Sequence, residues 1–217
     1  MSTQIRTAVV VTAIACLILV GTLLVGIDTV AAGAKIIASA GFLAVAILSG
    51  ALQSTYGKVL LAGLTLSFAG DAFLIGETQQ AFLAGLTAFL LAHLAYVAAF
   101  AVNGVNLRWL AAASLPVIGI ALGIAMWLAP HTPPELSLPV RLYTIVISGM
   151  VIAAVGTRGK GGSVLILVGA LLFFLSDLSV AALRLVQTDF PTYVWGLPFY
   201  YAGQLCLALS VSQSRSH

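Results

Sequence analysis

The chain has 217 residues, of which 61% are hydrophobic and 7% charged, with a formal net charge of +3 and a mean hydropathy of +1.15. A soluble domain carries about 25% charged residues, so this composition excludes a soluble enzyme and describes a membrane protein with little mass outside the bilayer. The small positive charge reports topology; no basic run or aromatic-basic patch points to a nucleic-acid partner.

A membrane span needs about 20 mostly apolar residues. Eight stretches qualify, at about 7–27, 30–49, 58–76, 80–102, 107–129, 138–157, 162–185 and 193–212. The first follows Arg6 and precedes Ala32-Gly33-Ala34, a loose imitation of a cleavable leader, but its run is too long for a leader core and reads as a span. Cys16 in it and Cys206 in the last lie in apolar runs outside any metal-ligand spacing, and read as small buried hydrophobes. Span 2 carries Lys35 and span 3 carries Asp71. Span 4 carries His93, with Phe89, Tyr96 and Phe100 at helical spacing on one face. Span 6 opens near Arg141; span 7 holds Asp177 and, seven residues on, Arg184, read as an interfacial anchor. Span 8 carries Tyr200 and Gln204 one turn apart, with Tyr201 read as packing. The breaks between spans are short and rich in Gly, Pro, Asn and charge, so any chemistry takes place within or beside the bilayer.

Eight spans place both termini on one side. That side holds Arg6, Lys58, Arg108, Arg158, Lys160 and Arg215; the other holds Asp28, Glu77, Glu135 and Asp189. The positive-inside rule puts both termini in the cytoplasm of a cell-membrane protein.

Lys35 and Asp71 are as far apart as Arg141 and Asp177. Shifted by 106 residues, Gly63–Asp71 lies over Gly169–Asp177 with Gly, Leu, Phe and Asp in common. This predicts an all-α bundle of two tandem four-helix repeats, 1–105 and 106–217, related as a parallel duplication; helices 4 and 8 match least. Each intramembrane charge costs roughly 2.5–3.5 kcal/mol, so four kept at one depth imply a purpose.

Asp71 and Asp177 are the candidate catalytic residues. Two carboxylates in a dry pocket disfavour double ionisation, which leaves one acid and one base for hydrolysis through an oxocarbenium-like state. The structural alternative is two interhelical ion pairs with Lys35 and Arg141. Lys35 and Arg141 suit a phosphate at headgroup level, or simple snorkelling. His93 fits a proton relay or the orienting of an Asp, or equally a buried ring donating to a backbone carbonyl on a neighbouring helix. Ser67 and Ser176 stand beside the carboxylates, where back-bonding to the helix competes. His131 falls in a loop and His217 is terminal, so a multi-His zinc site is excluded; no nucleophile elbow or phosphate-binding Gly-rich loop occurs.

The chain resembles the YhhN/TMEM86 family of membrane lysoplasmalogenases. The resemblance rests on Lys35, Ser67-Phe68-Ala69-Gly70-Asp71, on Phe82, Gly85, Phe89, His93, Tyr96 and Phe100, on Pro139, Tyr143 and Met150, on Gly169 to Asp177, and on Tyr200-Tyr201-Ala202-Gly203-Gln204. It implies cleavage of the vinyl ether bond of a lysoplasmalogen to a fatty aldehyde and a glycerophospho-headgroup, without a cofactor. Asp71 and Asp177 would act as acid and base. Lys35, Arg141, His93, Tyr96, Tyr200 and Gln204 would bind a lysophospholipid substrate drawn from membrane lipid. A proton-coupled transporter and a non-catalytic structural protein are the competing classes: flux without product marks the first, and tolerance of charge-reversal swaps the second.

Overall fold

A computed structural model describes residues 1–214; Arg215 and His217 lie outside the described residues. Eight α-helices follow one another: α1 (Thr3–Leu24), α2 (Asp28–Leu48), α3 (Thr55–Phe73), α4 (Gln79–Asn103), α5 (Leu107–Leu128), α6 (Pro134–Arg158), α7 (Val164–Ala181) and α8 (Tyr193–Gln213). There is no β-strand among the described residues. Seven helices are long and apolar enough to cross a membrane; α3, which carries Lys58 and Asp71 in 19 residues, falls short of that measure. With α3 packed against α4, α2 and α8, the chain is a multi-pass membrane protein of eight helices.

The polar residues in the breaks cap the helices. Ser54, Thr78, Asn106 and Ser163 each accept a hydrogen bond from a backbone N–H in the first turn that follows. Several boundaries differ by a few residues from the hydropathy reading, two of them with a local cause. Helix α6 begins at Pro134, where proline fits a first turn whose N–H groups have no partner. Helix α7 leaves α geometry at Ala182 and runs as a π-helical turn through Val186, closed by Gln187 in the left-handed region. The Thr192 hydroxyl donates to Ser179 O at 2.6 Å, tying the start of α8 to the end of α7.

Sequential helices pair as α1–α2, α3–α4, α5–α6 and α7–α8, and α2 packs on α8 as α6 packs on α4. The second helix of each half thus meets the fourth of the other. Between α7 and α8 the backbones touch: a Cβ on Gly169 would lie 2.9 Å from Gly203 O. Small residues allow this approach, which replaces the hydrophobic drive absent in lipid. Helix α5 packs mainly on α6 and exposes Leu115, Ile118, Ile120, Leu122 and Met126.

Candidate active site

Where α1, α3, α5 and α7 end and α2, α4, α6 and α8 begin, the helices enclose a cavity of about 450 Å³, lined mainly by apolar side chains. This size suits a small amphiphile. Lys35, Asp71, Asp177, Arg184, Tyr143 and Tyr200 all reach its wall.

Asp71 sits in the last turn of α3 and is 3% exposed. Its Oδ2 accepts from Ser39 Oγ at 2.6 Å and from Tyr200 Oη at 2.7 Å. Lys35 lies one turn before Ser39 on α2, close enough to interact electrostatically with Asp71, yet not within 4 Å of it. Tyr201 Oη donates to the Lys35 carbonyl at 3.3 Å and meets Ser39 Oγ at 3.3 Å, so α8 braces the polar face of α2.

Asp177 has a different set of neighbours. Tyr143 Oη donates to its Oδ2 at 2.8 Å, and His93 Nε2 faces the same oxygen at 3.5 Å. His93 is fully buried, and its Nδ1 lies 2.6 Å from Phe89 O. A carbonyl only accepts, so Nδ1 carries the hydrogen there. The His93 ring stacks edge-on against Phe173 at 4.6 Å, and Phe173 meets Tyr200 at 5.3 Å. An aromatic partition of Tyr200, Phe173 and His93 therefore runs from one carboxylate to the other.

Tyr96 and Gln204 are fully buried behind this wall: Tyr96 Oη donates to Gln204 Oε1 at 2.9 Å and bonds Ser67 Oγ at 3.0 Å. They support the site and do not line the cavity. Ser67 meets a tyrosine, not a carboxylate; the serine on Asp71 is Ser39, one turn after Lys35. Arg141 is exposed and absent from the cavity wall. Neither interhelical ion pair of the structural alternative forms, since His93 with Asp177 is the sole pair within 4 Å among the described residues. The second cation at the cavity is Arg184. Among the described residues no three His, Cys, Asp or Glu side chains cluster as metal ligands.

Fold and site define a multi-pass helical membrane protein with two separately held carboxylates on the wall of one largely apolar cavity. The YhhN family model matches residues 30–211, and the chain belongs to the YhhN family. It is 34% identical over 162 residues to lysoplasmalogenase TMEM86B of Sus scrofa, covering 73% of this chain and 66% of that protein. It is 33% identical over 178 residues to lysoplasmalogenase TMEM86B of Homo sapiens, covering 81% and 71%. A bacterial relative, the lysoplasmalogenase of Mycobacterium tuberculosis (strain CDC 1551 / Oshkosh), is 33% identical over 132 residues, 58% of this chain and 50% of the relative. The matched region thus spans about half to seven tenths of these relatives' own lengths. No solved structure matches the chain.

Proposed function

We propose that this protein is a lysoplasmalogenase: an intramembrane hydrolase that cleaves the vinyl ether of a lysoplasmalogen with Asp177 and Asp71 as acid and base. The observation that carries the reading is the presence of both carboxylates on one apolar cavity, each with its own hydroxyl donors. Vinyl ether hydrolysis starts with protonation of the carbon remote from oxygen. The Asp177–His93 pair is the proton source in this scheme. With hydrogen on Nδ1, a neutral His93 turns the Nε2 lone pair toward Asp177, and an ionised carboxylate there would oppose lone pair to lone pair; one proton held by the pair removes the conflict. The cation then forms at the ether carbon, where the Asp71 carboxylate and the ring of Tyr200 stabilise it. Water adds to that carbon and gives a proton to Asp71. The hemiacetal collapses to aldehyde and glycerol hydroxyl: its own hydroxyl proton passes to Asp177, and the proton held by Asp71 passes to the departing glycerol oxygen. One water is consumed and no cofactor takes part.

The test is purified protein in maltoside micelles, given a 1-alkenyl lysophosphatidylethanolamine while aldehyde release is followed. Aldehyde in step with free glycerophosphoethanolamine is the expected result; folded protein that yields none would sink the reading. Tyr200→Phe removes one donor from a charged acceptor, worth roughly 1.5–3 kcal/mol. Turnover should fall roughly 10–100-fold in the same assay, and a wild-type rate would dismiss Tyr200 from the mechanism.

The cavity lies at the end of the bundle opposite Lys58, Arg108, Arg158 and Lys160. With both termini cytoplasmic in the cell membrane, as charge bias suggests, substrate arrives from the outer leaflet. Labelling of a cysteine introduced at Ser2 by an impermeant thiol reagent on intact cells would reverse this orientation. Duplication of a four-helix unit is supported by the reciprocal packing of α2 on α8 and α6 on α4. A superposition of α1–α4 on α5–α8 that fails to bring Asp71 onto Asp177 would reject it.

A further inference from the structure

We infer that Lys35 and Arg184 form an anion-binding subsite for a phosphate group at the mouth of the cavity, and that Arg141 takes no part in it. The two cations come from distant segments, one on α2 and one on the π-helical turn after α7, yet both reach the same cavity wall. They lie close enough to act on one another electrostatically. Two like charges facing one low-dielectric space repel, and among the described residues neither has a carboxylate within 4 Å. Asp71 lies within electrostatic range of Lys35 but not within 4 Å of it, and its Oδ2 is bonded by Ser39 and Tyr200.

Asp28 and Glu77 also border the cavity, at its exposed rim. Asp28 is two turns before Lys35 on the same face of α2, about 10 Å nearer the membrane surface by helical rise. It leaves Lys35 free.

Arg184 is oriented without being neutralised. Its guanidinium carbon lies 5.8 Å from the centroid of the Phe82 ring. Stacking on an aromatic face leaves the N–H donors of a guanidinium available, and these match the oxygens of a phosphate in pairs. An anion seated between Lys35 and Arg184 relieves their repulsion. In a glycerophospholipid the phosphate and the first-carbon ether are joined only by the glycerol backbone. A phosphate at Lys35 therefore leaves the ether within reach of Asp71, Lys35's electrostatic neighbour. As a statement about the natural occupant the inference rests on the hydrolase reading; as a statement about phosphate binding it does not.

The experiment measures equilibrium binding in maltoside micelles, with two lipids that cannot be hydrolysed: 1-O-hexadecyl lysophosphocholine and 1-O-hexadecylglycerol. Wild type should bind the phospholipid at least tenfold more tightly, and Arg184→Gln or Lys35→Gln should bring the two affinities within about twofold, at about 1.4 kcal/mol per tenfold. Arg184→Lys should keep part of the preference, and Arg141→Gln all of it. Equal affinities in wild type, or a preference that survives Arg184→Gln or vanishes in Arg141→Gln, would overturn the inference. Competition by inorganic phosphate separates the sources: displacement at comparable concentration assigns the subsite to soluble phosphate, and none assigns it to a lipid headgroup. Protein that releases no aldehyde from alkenyl lipid but keeps the preference loses the hydrolase reading and retains the subsite.

Discussion

Asp177→Asn and Asp71→Asn should each reduce aldehyde release from a lysoplasmalogen by roughly 10²–10⁴-fold, the usual worth of a positioned acid or base. Asparagine keeps the volume of aspartate and its capacity to accept from Tyr143, or from Ser39 and Tyr200. The fold should therefore survive, and an unchanged thermal unfolding midpoint checks that it does. The double variant should be little worse than either single one, because the two groups serve one reaction path and their losses do not add. Phenolic and hydroxyl donors remain around each amide, so affinity for a non-hydrolysable ether lipid should hold while turnover collapses. A single variant that keeps more than a tenth of wild-type turnover removes that carboxylate from the mechanism. Proportionate loss of binding and turnover in both would mean that the carboxylates serve only to shape the cavity.

Gly169→Leu should cause the largest loss of stability. A Cβ at this position meets Leu207 Cγ at 2.8 Å and Gly203 O at 2.9 Å. The second is backbone and cannot turn aside. A leucine forces α7 from α8, and the displacement reaches Asp177 and Tyr200 together. Overpacking of this kind costs about 1–3 kcal/mol and more where backbone must move. The expected outcome is a broad, early-eluting profile in detergent with a lowered unfolding midpoint. Gly149→Leu is the matched control, since nothing lies within 4 Å of a Cβ there. It should leave both observables near wild type. If the two variants behave alike, close contact between α7 and α8 is not what holds this half of the bundle.

The helices were legible in the sequence because lipid imposes length and apolarity; the caps Ser54, Thr78, Asn106 and Ser163 emerge only with the fold. Lys35, Asp71 and Asp177 were legible as rare charges, and all three reach one cavity. Rotation about a helix axis was not legible from matched spacing. Arg141 stands in register with Lys35, but a helix turns about 100° per residue, so two residues carry Arg141 to roughly the opposite side from Tyr143. Tyr143 faces Asp177 and Arg141 faces outward. Ser39 was within reach of sequence reasoning, being one turn from Lys35 on the same face. Arg184 was not, because a charge near a helix end reads as an anchor until its neighbours are known. The choice between roles for His93 also needed the fold: the carbonyl it bonds is Phe89 O of its own helix, not one on a neighbouring helix, and the other ring nitrogen approaches Asp177.

Helix α5 borders the cavity with Ile124 and Leu128, while most of its length faces outward and α6 is its main neighbour. On that flank the wall of the cavity is a single helix thick, with hydrocarbon beyond it. An amphiphile approaching there is already dissolved in two dimensions, so its concentration in moles per litre has little meaning. Turnover should follow the mole fraction of substrate in the surrounding lipid or detergent, falling as inert amphiphile is added at fixed total substrate.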